Sequence, residues 1–142
     1  MRGYGYNERT KSAGAAPIPA GRGSFRGAQE ELSRKNLRLT VNRAYYAIFY
    51  AMRALLALVA KDSSKHSGVI SLFNQDFIKT GIISEVSFKS IQLLMDLRHE
   101  ADYQDFSEIN EDEAQEAVRS AKIIITTLDE ALKKLLGSRQ IQ

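Results

Sequence analysis

Seven consecutive residues, Leu97 to Tyr103 (LRHEADY), place a guanidinium, an imidazole, two carboxylates and a phenol within about two turns of a helix. Cutting RNA without a metal needs a group that takes the proton of a ribose 2′-hydroxyl, another that protonates the leaving oxygen, and a cation beside the crowded phosphate. Arg98 can be the cation. The chain has two histidines, His66 and His99, and His99 is the one beside Arg98; imidazole titrates closest to neutral pH. Sequence neighbours stand about 100° apart round a helix, so Arg98 and His99 meet at one phosphate only in a wide cleft or across a subunit seam. Tyr103, whose phenol ordinarily titrates near about 10, donates a hydrogen bond but is a poor base. Asp102, four residues after Arg98, shares its helical face and is either part of the site or the acid of an internal ion pair. His66 falls in the polar loop KDSSKHSG, where a surface or capping role is expected.

A second polar cluster, NRAYY, interrupts an apolar helical pattern. Asn42, Tyr45, Tyr46 and Phe49 recur at intervals of three and four, so an amide, two phenols and a ring share one side. Phenols so placed fit either a core rim that satisfies the hydroxyl or a surface that stacks nucleobases. With Arg98, the residues Asn42, Arg43 and Tyr46 are the candidate RNA- or nucleotide-binding set. The chain has no cysteine, which excludes disulfides and thiolate ligands and permits a reducing, cytoplasmic setting. Two separated histidines and scattered acids make no metal ligand set, and no glycine-rich loop opens a helix. Neither a metal nor a cofactor is expected.

The elements that must position these groups are helices. From Arg38 to about Ala60, Val41, Tyr45, Ile48, Met52, Leu55 and Val59 form a large-residue stripe, and Ala44, Ala47, Ala51 and Ala54 a small-residue face. Arg53 interrupts the longest apolar run, which reads as a core helix rather than a membrane span. Ser67 is the expected cap of a third helix carrying Ile70, Phe73 and Phe77, with Gly81 in the left-handed position beyond its end. A fourth helix, from near Ser84 to Arg98, turns Phe88, Ile91, Leu94 and Met95 inward. Asn110 and Glu113 form a capping pair for a long last helix, in which Ala114, Ala117, Val118, Ala121, Ile125, Leu128, Leu132 and Leu135 continue one stripe to Gly137. The expected fold is all-α, a four- to five-helix up-and-down antiparallel bundle.

Residues 1–27 hold six of the nine glycines and both prolines and show no apolar period, so they read as a disordered basic leader. The bundle then spans 28–136, and 137–142 are a short tail. The net charge of +3 is uneven: residues 1–43 carry nine Lys/Arg against three Asp/Glu, and the remainder eleven against fourteen. The basic character thus belongs to the front and says little about the bundle.

Three segments in fixed order, VNRAYYAIFYAMRALL, KHSGVISLFNQDFIKTG and LRHEADYQDF, resemble the HEPN domain family, in particular its small stand-alone prokaryotic branch, over about residues 28–136. The resemblance implies a helical bundle that pairs as a homodimer through the faces carrying the polar motif. It also implies a minimal nucleotidyltransferase partner, the two acting as toxin and antitoxin, and metal-independent ribonuclease activity in active members. The family's pattern is an arginine, a polar residue, and a histidine four to six residues after the arginine. Arg98 matches the first and His99 holds the second place; Asp102 and Tyr103 stand where the histidine belongs. By similarity, Tyr103 is also a candidate for adenylylation by the partner. The short AQEELSRK segment, in place of a full first helix, predicts a partly missing bundle wall. A non-catalytic helical interaction module, with Arg98 and Asp102 as a structural pair, is the competing expectation.

Overall fold

The computed structural model describes residues 17–103 and 108–141, without the side chains of residues 17–20, 86, 103 and 138–141. Five helices follow in order: α1 (Pro17–Ser33), α2 (Leu37–Leu58), α3 (His66–Phe73, widening into a π-turn over Asn74–Ile78), α4 (Glu85–Tyr103) and α5 (Glu111–Ile141). Among the described residues there is no strand, and the fold is the all-α bundle that the periodicity predicts.

The centre of the bundle is α2. Its alanine face, Ala44, Ala47, Ala51 and Ala54, is at most 1% exposed, and α1, α4 and α5 all pack on this helix. Val41, Tyr45, Ile48, Met52 and Leu55 on its large-residue stripe are buried, and so are Ile91, Leu94, Ile125, Leu128 and Leu132 from the helices around it. Phe88, Met95, Val118 and Leu135 pack at the margin of the same core.

The first wall differs from the expectation. Residues 17–27, read as leader, are the opening of a 17-residue helix; residues 1–16 lie outside the described residues. Proline is tolerated in a first turn, where the backbone N–H groups have no partner within the helix. Gly21 follows from packing: a Cβ there would come within 2.9 Å of the Ala47 carbonyl oxygen, so only glycine lets α1 lie this close to α2. Phe25 and Leu32 pack on the core, and Arg22 meets the buried carboxylate of Asp129 on α5 at 2.8 Å. Composition signalled a breaker-rich tail, but at Gly21 close helix contact outweighs the roughly 1 kcal/mol that a helical glycine costs. Residues 17–27 therefore belong to this wall of the bundle.

Other boundaries shift by less. Helix α3 starts at His66 with Lys65 extended before it and no side-chain cap, so Ser67 lies inside the helix rather than before it. Gly81 adopts φ +83°, the left-handed position expected of it. Ser84 Oγ accepts the Ser87 N–H at 3.2 Å and opens α4, which runs past Arg98 to Tyr103. Asn110 and Glu113 exchange hydrogen bonds of 2.8 and 3.0 Å and start α5. That helix does not stop at Gly137 but continues to Ile141, so no separate tail begins at 137; Gln142 lies outside the described residues.

Candidate anion-binding site

The two polar clusters of the sequence meet at the seam between α2 and α4. Because α4 continues one turn beyond Arg98, Asp102 stays in helical register, and its Oδ2 lies 2.8 Å from Arg98 Nε. Both side chains are largely enclosed, 16% and 23% exposed. Asn42 Nδ2 donates to the same carboxylate oxygen at 3.3 Å. Arg98 Nη2 donates to Tyr46 Oη at 3.4 Å. The guanidinium carbon stands 4.9 Å from the Tyr45 ring centroid and 5.6 Å from that of Tyr46, within the range where a cation is drawn to an aromatic ring. One turn toward the start of α2, Arg38 Nη1 donates to the Ala101 carbonyl at 3.0 Å and so satisfies an oxygen that the last turn of a helix leaves unpaired. Positions 38, 42, 45 and 46 of α2 therefore present one ladder to 98, 101 and 102 of α4.

His66 is the residue that the loop reading misplaced. As the first residue of α3, it is partly buried against this ladder, its Nδ1 3.2 Å from Tyr45 Oη. Its ring centroid is 4.3 Å from Phe49, 5.6 Å from Tyr46 and 5.8 Å from Tyr45. Burial, then the positive charge of Arg98, then that of Arg53 hold the imidazole below its ordinary pKa, which keeps it neutral at neutral pH. Arg53 is itself fixed to Asp62 by bonds of 2.7 and 3.2 Å, and that pair ties the loop leading to His66 back onto α2. Nothing in the spacing of KDSSKHSG reports this, because the contact is made by the loop's path and not by a period. The one local hint is that His66 immediately precedes the apolar turns of α3.

The remaining candidates are more dispersed. Arg43 lies along Gly27 of α1, its Cδ 3.6 Å from where a Cβ would stand, and is exposed away from the core. His99 is exposed on α4, one residue round from Arg98. Tyr103 is the last residue of α4, and its side chain lies outside the described residues. Tyr45 is 1% exposed and belongs to the core, while Tyr46 packs only partly against it. Among the described residues no three His, Asp or Glu side chains are grouped to hold a metal ion, and no helix is long and apolar enough to cross a membrane.

The bundle thus carries, at the seam of α2 and α4, a guanidinium braced by a carboxylate and two phenol rings, with an imidazole on the same rings. The model of the HEPN domain family matches residues 20–132, and the chain belongs to that family. A UPF0332 protein of Thermotoga maritima is 33% identical over 73% of this chain and 79% of its own length. A protein of Methanocaldococcus jannaschii named "Putative toxin" is 35% identical over 77% of this chain and 86% of its own length. A second protein of that organism with the same designation is 35% identical over 71% of this chain and 66% of its own. The family match begins at residue 20, inside α1, in agreement with a helix that starts well before Ala28.

Proposed function

We propose that this is a toxin-like HEPN protein that binds RNA through backbone phosphate at Arg98, in a cleft formed where two copies of the chain meet, and that metal-independent cleavage is the activity of that site. The observation that carries the reading is the setting of Arg98: a largely enclosed guanidinium stacked on tyrosine rings, with Asp102 at 2.8 Å holding it in place. A planar guanidinium suits phosphate as well as carboxylate, so an incoming phosphate takes over donors that Asp102 now engages. Tyr46 and Asn42 flank the position from α2. The toxin names of two relatives support the biological side of the reading, and a minimal nucleotidyltransferase is its proposed antitoxin partner, with Tyr103 the proposed target of adenylylation.

The test is RNA binding by fluorescence anisotropy and cutting in the presence of a chelator, with Arg98→Ala compared with wild type and the circular-dichroism melt as control. Loss of RNA binding with a melt displaced by only a few degrees supports the reading. A collapsed melt favours the second reading, a non-catalytic dimerisation module, for which the Arg98–Asp102–Asn42 contacts within one chain speak directly.

A further inference from the structure

We propose that His66 is the general base of this site, accepting the proton of a ribose 2′-hydroxyl at Nε2 while Arg98 holds the adjacent phosphate. This rests on the ribonuclease reading above and gives it a base other than His99, which is exposed and stands about 100° round α4 from Arg98. His66 and Arg98 come from different helices, yet both lie against the same two rings: the Tyr46 centroid is 5.6 Å from the imidazole centroid and 5.6 Å from the guanidinium carbon. Tyr45 lies under the guanidinium and at the same time reaches His66 Nδ1. Cation and imidazole are therefore positioned as a unit.

The direction of the Tyr45 contact decides the chemistry. When Nδ1–H donates to Tyr45 Oη, Nε2 keeps its lone pair, and no other hydrogen bond to His66 is made among the described residues. Burial beside Arg98 and Arg53 keeps the ring uncharged and ready to accept a proton. The charged and titratable groups facing it are Tyr45, Tyr46 and Arg53 from α2 and Arg98 from α4, with Asp62 and Asp102 balancing the two arginines. In the step, the 2′-O–H bond breaks and its proton passes to Nε2. The 2′-oxygen bonds to phosphorus, the bond from phosphorus to the 5′-oxygen breaks, and the departing oxygen takes a proton from water. The products are a 2′,3′-cyclic phosphate and a 5′-hydroxyl, and the imidazolium then returns its proton to solvent. Tyr45 is a positioning residue in this scheme.

The experiment uses the full chain, an end-labelled single-stranded oligoribonucleotide, and the same sequence with 2′-deoxyribose throughout, all with chelator present. The expected result is cleavage of the ribo strand alone to cyclic-phosphate ends. His66→Gln should lower the rate by about 100-fold or more with RNA affinity within about threefold, and Tyr45→Phe should lower the rate with a displaced pH profile. In wild type, nitrogen-15 spectra of the His66 ring at neutral pH should show the neutral tautomer protonated on Nδ1, a reading that stands even if the variants misfold. Full activity in His66→Gln, a ring protonated on Nε2, or cleavage of the deoxy strand overturns the assignment. Wild type that binds RNA and leaves it whole overturns the base but spares the binding site, whereas no binding at all removes both.

Discussion

Arg98 and Asp102 stand one turn apart on α4 and are joined at 2.8 Å, so the guanidinium proposed to hold a phosphate is held by its own chain's carboxylate. The pair is an intrahelical contact of the kind that contributes only a few tenths of a kcal/mol when exposed, but here it is enclosed and reinforced by Asn42. On the proposed function, phosphate binding would be an exchange of one anion for another.

Asp102→Asn removes the competing charge and keeps the shape. Phosphate-backbone affinity, read by anisotropy at fixed salt, should rise severalfold, while stability should fall by about 0.5–1.5 kcal/mol as a charge-assisted contact becomes a neutral one. Unchanged or weaker binding would show that Asp102 supports the site rather than competing with its ligand.

Gly21 and Gly23 should respond to alanine in opposite directions. At Gly23 a Cβ meets nothing within 4 Å, so Gly23→Ala should stabilise by about 0.5–1 kcal/mol through helix propensity alone. At Gly21 the Cβ would press on the Ala47 carbonyl oxygen at 2.9 Å, a backbone atom that cannot turn aside. Gly21→Ala should therefore destabilise by about 1–3 kcal/mol as α1 is pushed off α2. Denaturant midpoints of the two variants moving in the same direction would count against this packing of α1.

Stability should fall on mild acidification, with His66 as a cause. Its folded pKa lies below the ordinary value, so below about pH 6.5 the unfolded chain binds the proton more readily than the folded one, and the fold loses stability as pH falls through the folded pKa. Above that window the contribution is fully present and flat. Subtracting the pH profile of His66→Gln from that of wild type should isolate a component confined to this acidic limb; parallel profiles would mean that the ring titrates alike in both states.

Tyr103→Phe tests the modification proposal independently of RNA. Incubated with ATP and the proposed nucleotidyltransferase partner, wild type should gain the mass of an adenylyl group and the variant should not. Equal gains by intact-mass spectrometry would move the modified position elsewhere.

The fold was legible where period and capping agreed. The stripes on α2 and α5, the Asn110–Glu113 exchange and the left-handed Gly81 all follow from local rules that tertiary contacts do not contradict. Those rules failed at α1, because Gly21 is selected by a neighbour some twenty-six positions away and composition alone records only that glycine breaks helices. The candidate site was legible as two ladders, Asn42–Tyr46 and Arg98–Asp102, since each is written in one helix. His66 was not: its neighbours Tyr45, Tyr46 and Phe49 are brought to it by the Val59–Lys65 turn and the Arg53–Asp62 clamp, and a loop's route leaves no period to read.

The shared tyrosine pair has a further consequence for anyone altering this protein. Because Tyr46 borders both the guanidinium and the imidazole, any replacement there should disturb the proposed binding and the proposed base in one stroke. Paired substitutions at Tyr46 with Arg98 or with His66 should depart from simple additivity, since one ring braces both side chains.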